Sequence, residues 1–125
     1  MESIAWEDRD KARWITLEGE LDNEAVLQLK DRFEEAVQGG EGDVIIVVGG
    51  VTFLSSMAVG LLLKARETLS AENRTLKLSG LKPKTRRILG LMNLTGVFEE
   101  AREYGARFVF LTPRPSGAGG PRTPP

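Results

Sequence analysis

Cysteine and histidine are both absent from the 125 residues of this chain. Their absence excludes disulfides, thiolate or imidazole zinc sites, cysteine nucleophiles and a Ser-His-Asp triad within the single chain. It also suits a reducing compartment. We therefore expect no cofactor and no metal, and we favour a binding module over an enzyme.

The chain also lacks a large excess of positive or negative charge and lacks long apolar runs. The chain has 17 basic and 18 acidic residues, a net charge of −1, so no overall charge attracts nucleic acid or a membrane surface. No apolar run approaches the roughly 18 residues that a membrane helix needs. The first residues, MESIAWED, are acidic and mixed, unlike a secretory signal. The sequence predicts one cytoplasmic domain with neither nucleic acid nor a membrane as a partner.

The first third of the chain reads as a hairpin followed by a helix. Residues 4–6 and 12–17 are β-leaning runs on either side of a charged cluster, and GELD at 19–22 interrupts the second run. Asp22 or Asn23 can cap the helix that follows, because both side chains accept hydrogen bonds from free amides. The helix has apolar residues at steps of three or four, Val26, Leu29, Phe33 and Val37, and the glycine pair 39–40 ends it.

The rest of the chain alternates strands with helices. The β-branched run 44–48 predicts a strand covered on both faces, and it stops at the glycine pair 49–50. A helix follows from residue 57, then a strand at 73–80, and a third helix that opens at Lys82-Pro83 and stops at 93–96. Residues 98–104 read as a short helix or an irregular edge, and 107–111 as a final strand. This order predicts an α/β fold, a mixed sheet of four to five strands with helices packed on it.

The final segment differs in composition from everything before it. Eight of the thirteen residues 113–125 are proline or glycine. Such a segment buries too little apolar area to offset the loss of chain entropy, so we expect a disordered tail. The predicted domain is therefore residues 1–112.

Two adjacent hydroxyls stand where the second helix begins. Ser55 and Ser56 follow a strand and precede an apolar helical pattern. A phosphate attached there would be stabilised by the helix dipole and the free amides of the first turn. The alternative is that Ser55 or Ser56 is simply an N-cap, which is the common role of serine at this position.

Three segments together resemble a known family. LEGELD at 17–22 before an amphipathic helix, VTFLSSMAVGLLL at 51–63, and the stretch 78–96 with Pro83 and MNLTG are similar to the STAS domain of bacterial anti-sigma-factor antagonists. The resemblance spans about residues 4–100. It matches Ser56 to the serine that a partner kinase phosphorylates. It also shows departures: Ser55 stands where the family usually has aspartate, Met57 replaces a small or hydroxyl residue, and Ala58 replaces glycine.

The resemblance implies a protein that sequesters an anti-sigma factor when unphosphorylated and releases it when phosphorylated. The partner would be an anti-sigma factor and serine kinase that itself binds ATP, and the chain would be a monomer or weak dimer. The expected partner-binding residues are Asp22, Ser55, Ser56, Met57, Ala58 and Val59. The alternative function is a STAS scaffold without phosphorylation, or an accessory subunit of a signalling or transport complex.

Two features stay open at the level of sequence. Met57 either contributes to an adaptable contact surface, together with Val59 and Gly60, or packs inward against the sheet. The basic cluster Lys82, Lys84, Arg86 and Arg87 is a solvated helix face or a surface that grips an acidic partner. Glu18, Glu20 and Asp22 are expected to be solvated turn residues. The glycine pair 49–50 lacks the residues of a nucleotide-binding motif.

Overall fold

The computed structural model describes residues 3–101, which form one five-stranded sheet and three helices. Strand β1 pairs with β2 antiparallel, and all other neighbours are parallel, in the spatial order β1-β2-β3-β4-β5. The predicted α/β class and element order are confirmed. The elements are β1 Ser3–Arg9, β2 Ala12–Leu21, α1 Asn23–Gln38, β3 Asp43–Leu54, α2 Ser56–Ser70, β4 Leu76–Ser79, α3 Pro83–Leu91 and β5 Glu99–Glu100.

The hydrophobic core lies on one face of the sheet. Val44, Ile46 and Val48 of β3 belong to one buried cluster with the apolar residues of all three helices, which therefore pack on that face. Ile45 and Val47 point to the opposite face, because strand side chains alternate. The helices cover only the first of these faces. On the opposite face Ile45 is buried, at 8% exposed, and Val47 is half-buried, so the prediction of a run covered on both faces holds for Ile45 and only in part for Val47.

Strands β2 and β3 are both longer than predicted. Gly19 does not end β2, because its φ of 98° and a shift in register let the strand continue to Leu21. The glycine pair 49–50 does not end β3 either, since β2 pairs with β3 as far as Leu54. A strand takes its length from its partner, and the sequence of either strand alone did not show this.

The pairing of β2 with β3 continues well beyond β4. Strand β4 pairs with β3 only from Val44 to Val47, whereas Leu21 of β2 lies opposite Leu54 of β3. We call the part of this pair beyond Val47 the β2–β3 extension. Helices α1 and α2 both begin at its tip.

The last described residues form an irregular edge, one of the two predicted alternatives for this stretch. Strand β5 has two residues, and the amide of Ala101 donates to the carbonyl of Leu78 at 2.7 Å. The Arg86 guanidinium fixes this strand to α3 through two hydrogen bonds of 2.6 Å to the Glu100 carboxylate. The predicted strand at 107–111 and the predicted tail at 113–125 lie outside the described residues, so the boundary at 112 stays a prediction.

Candidate functional site

Two helix caps meet at the tip of the β2–β3 extension. The Asp22 carboxylate accepts from the amide of Ala25 at 2.9 Å and caps α1. The Ser55 hydroxyl accepts from the amide of Ala58 at 3.2 Å and caps α2. The amide of Ser55 also donates to the carbonyl of Leu21 at 3.0 Å, which holds the two helix starts side by side.

Ser56 is the first residue of α2, and its side chain is exposed. The Ser56 hydroxyl makes no hydrogen bond within residues 3–101. The hydroxyl that caps α2 is that of Ser55. The amides of Ser56 and Met57 lie in the first turn, where a helix offers them no acceptor. A group attached to the Ser56 oxygen would therefore project into solvent beside free amide donors.

The next three predicted partner-binding residues separate into exposed and buried. Met57 is 41% exposed, so of the two alternatives inward packing is excluded, and its part in a contact surface stays a prediction. Ala58 is 3% exposed and Val59 is fully buried, and both belong to the core cluster. Their side chains are buried because the inward stripe of α2 begins at Ala58, so a partner could reach these two residues only through their backbone atoms, and their part in binding stays a prediction.

Further exposed apolar side chains lie on β3 and α1. Phe53 at the end of β3 is 39% exposed and Leu27 on α1 is 67% exposed. Sequence reasoning missed both residues. Leu27 was detectable, because it lies off the buried stripe of Ala25, Val26 and Phe33 in an otherwise amphipathic helix.

The charge around Ser56 is sparse. The first turn of α2 has no acidic residue, and the nearest predicted site carboxylate is Asp22, on the neighbouring cap. The basic cluster belongs to α3, where Lys82, Lys84 and Arg87 are exposed and Arg86 is paired with Glu100. The hydrogen bond that Arg86 donates to the Glu100 carboxylate lowers the pKa of that carboxyl below its ordinary value.

The described part of the chain contains neither a candidate metal site nor a candidate membrane-spanning helix. Within residues 3–101 no group of three or more acidic side chains is placed to hold a metal ion. No helix in the same range is long and apolar enough to cross a membrane.

The fold and the two adjoining caps define a small α/β domain that presents an exposed serine at a helix start. Residues 4–112 match the family model described as Mlab, STAS domain, which covers most of the chain. The chain therefore belongs to the STAS domain family, as the sequence resemblance predicted. The comparison with curated proteins gives no match.

Several solved structures share this fold. An anti-sigma factor antagonist from Mycobacterium paratuberculosis is 24% identical, with a TM-score of 0.70 over 78% of this chain and 83% of that chain. The anti-sigma factor antagonist SpoIIAA in its unphosphorylated form is 27% identical, with a TM-score of 0.65 over 79% of this chain and 88% of that one. The Bacillus cell fate determinant SpoIIAA in its phosphorylated form is 27% identical, with a TM-score of 0.60 over 79% and 91%.

Proposed function

We propose that this protein is an anti-sigma-factor antagonist that binds its partner through the tip of the β2–β3 extension and is released by phosphorylation of Ser56. It is a binding protein and not an enzyme, and the partner is an anti-sigma factor with serine kinase activity that brings its own ATP. The observation that carries the proposal is the exposed hydroxyl of Ser56, which makes no hydrogen bond to any residue of 3–101 and lies beside the capping hydroxyl of Ser55. One similar protein, SpoIIAA, has been solved in a phosphorylated form.

The fold tolerates a phosphate on Ser56. The group adds about −1.5 to −2 charges near neutral pH. At the start of a helix, the dipole and the free amides stabilise such a charge by about 0.3–2 kcal/mol. Because Ser55 makes the capping bond, modification of Ser56 leaves the cap of α2 in place.

The same phosphate weakens a complex that covers it. The exposed Met57 side chain supplies apolar contact beside Ser56, and burial of a dianion in such a contact costs several kcal/mol when no cation pairs with it. The Asp22 carboxylate at the adjoining cap adds negative charge at the same tip. Each 1.4 kcal/mol is about tenfold in affinity, so the loss is large enough to dissociate the partner.

The test combines mapping of the modified residue with measurement of affinity. Incubation with the candidate kinase and ATP, followed by mass spectrometry, is expected to place one phosphate on Ser56. Ser56→Ala is expected to abolish labelling and keep binding, and Ser56→Asp to weaken binding by tenfold or more. Ser70→Ala is the matched control, since it removes an exposed hydroxyl at the opposite end of the same helix and should keep both labelling and binding.

A second candidate function is a STAS scaffold that binds its partner permanently. The exposed apolar side chains of Phe53 and Met57, together with Ser55 in the place where the family usually has aspartate, favour this alternative. In that case no phosphate is found on Ser56 and Ser56→Asp binds normally, while Met57→Glu still abolishes the complex. The two functions therefore give opposite results with Ser56→Asp.

A further inference from the structure

Helices α1 and α3 have exposed faces of opposite charge. From Asp22 to Gln38, α1 and its cap have five acidic and two basic residues. Between Leu81 and Phe98 the chain has four basic residues and no acidic residue. A chain with a net charge of −1 therefore carries one acidic and one basic helix on its surface.

Each of these faces surrounds a leucine. Leu27 on α1 is 67% exposed and Leu91 on α3 is 80% exposed, the two highest values among the large apolar side chains of residues 3–101. Burial of a leucine side chain contributes about 1.5–3 kcal/mol, and neither leucine gains this contribution within the described domain. Both are thus suited to an intermolecular contact.

The acidic face is a ridge along α1. Residues three or four apart share one face of a helix, which aligns Leu27 with the carboxylates around it. The exposed acids of this face form no ion pair within the described part of the chain, so their charge is available to a partner. The α1 ridge consists of Glu24, Leu27, Asp31 and Glu35.

The basic face is a ridge along α3. Lys84, Arg87 and Leu91 follow at steps of three and four and are all exposed. Neither Lys84 nor Arg87 has an ion-pair partner among residues 3–101, whereas Arg86 on the other side of the helix is paired with Glu100. Lys84, Arg87 and Leu91 form the α3 ridge.

The spacing of the two ridges matches when the helices lie antiparallel. If Leu91 packs on Leu27, a step of four residues back along α3 reaches Arg87, and a step of four residues forward along α1 reaches Asp31. One further step brings Lys84 to the level of Glu35. Antiparallel alignment also places the two helix dipoles in opposition, which is favourable.

We propose that the α3 ridge of one copy of this chain docks on the α1 ridge of a second copy. The two surfaces are different, so the contact is heterologous: the copy at one end of an assembly keeps a free α1 ridge, and the copy at the other end keeps a free α3 ridge. A contact limited to four residues of one helix and three of the other is smaller than the roughly 1,200–2,000 Å² of stable interfaces. The association is therefore weak, with a dissociation constant on the order of 100 μM.

This inference goes beyond the proposed function, because neither ridge includes Ser56. Sedimentation velocity of the full chain, from about 20 μM to about 1 mM, tests it directly. We expect the average mass to rise with concentration in about 20 mM NaCl. In about 500 mM NaCl we expect the association to weaken about tenfold, because the charge pairs are exposed and screened.

Two variants, each defective in one ridge, give the decisive result. Asp31→Lys damages only the α1 ridge, and Leu91→Lys damages only the α3 ridge, so each alone is expected to be monomeric. Mixed in equal amounts, they retain one intact ridge of each kind and should form a 1:1 dimer that does not grow further. Arg66→Glu, an exposed change on α2 outside both ridges, is the matched control and should associate like the wild type.

The outcomes separate clearly. A wild type that stays monomeric at about 1 mM and low salt overturns the proposal, as does association of either single variant at the wild-type level. Association of the wild type without dimers in the mixture indicates a symmetric contact and also overturns it. Ser56→Asp should associate like the wild type, so failure of self-association and failure of the phosphorylation switch are independent results. Circular dichroism of each variant confirms that it is folded.

Discussion

At the scale of single residues, two neighbouring serines have different surroundings. The Ser55 hydroxyl is half-buried and closes the α2 cap, whereas the Ser56 hydroxyl is exposed and unbonded within the described residues. The helix start and the serine pair were predictable from sequence. Which serine caps and which projects depends on where β3 ends, and this was predictable only from the family resemblance.

The two serines should differ in their effect on stability. Ser55→Ala removes the capping bond to Ala58 and is expected to lower the free energy of unfolding by about 1 kcal/mol. Ser56→Ala removes no hydrogen bond and should change it by less than about 0.5 kcal/mol. Urea denaturation of both variants measures the difference. Equal losses would show that the cap is shared between the two hydroxyls.

At the scale of elements, the end of α1 is held by two distant arginines. The last turn of α1 contains no basic residue. Instead, Arg13 of β2 donates to the carbonyl of Ala36 at 3.1 Å, and Arg74 donates to the carbonyls of Gly42 at 2.7 Å and Gly39 at 3.3 Å. Both cations lie where the helix dipole is negative, so they satisfy free carbonyls and oppose that dipole.

Removal of Arg74 should therefore destabilise the whole loop between α1 and β3. Its side chain is 12% exposed, and its loss leaves two carbonyls without their donor. We expect Arg74→Met to lower the free energy of unfolding by about 1–3 kcal/mol. Arg66→Met, a fully surface-directed change on α2, is the control and should be close to neutral. Hydrogen exchange of residues 39–43 would show whether the loss is local.

The extents of the elements show what the sequence could and could not predict. Local periodicity predicted α1 correctly, with Asp22 or Asn23 as its cap and the glycine pair after its end, and the structure selects Asp22. The end of β3 was predicted too early, since the glycine pair 49–50 is held in the strand by its pairing with β2. Burial of Ala58 and Val59 depends likewise on contacts that are distant in sequence. Periodicity reports local structure, and these features are set by tertiary contacts.

At the scale of the whole molecule, a single core holds the helices that carry the proposed contact surfaces, and α1 has one side in this core and the other in solvent. Phe33 on α1 is 1% exposed within this core, whereas Leu27 on the same helix is 67% exposed. Phe33→Ala is expected to lower the free energy of unfolding by about 3–5 kcal/mol, because it leaves a cavity. Leu27→Ala should be nearly neutral in the monomer. If thermal denaturation shows similar losses for both, Leu27 is covered in solution.

The charge pairs give the molecule a predictable dependence on pH. Hydrogen bonds from Arg86 and Arg13 lower the pKa of the Glu100 and Asp8 carboxyls in the folded state. A lowered folded pKa means that the stabilisation is present above the ordinary carboxyl pKa and is lost as the pH falls through the folded value.

Glu100→Gln should reveal this loss. At pH 7 the variant lacks the ion pair with Arg86 and is expected to be less stable than the wild type. The difference in stability between wild type and variant should shrink as the pH falls below about 4. The wild-type carboxyl then becomes protonated and, like the glutamine amide, carries no charge. Urea denaturation at pH 7, 5 and 3 measures it. A difference that stays constant across this range would mean that the loss comes from packing and not from ionisation.

The β2–β3 extension has a consequence for access by other proteins. Strand β4 stops pairing at Val47, and seven further residues carry β3 to Leu54, a rise of about 20 Å. The Ser56 hydroxyl thus lies at the far end of the β2–β3 extension, whose inward side chains, among them Val51 and Leu54, are buried in the core with residues of α1 and α2. We expect that the catalytic cleft of a kinase can enclose this end while the half of the domain around α3 remains outside, free for a second neighbour at the same time.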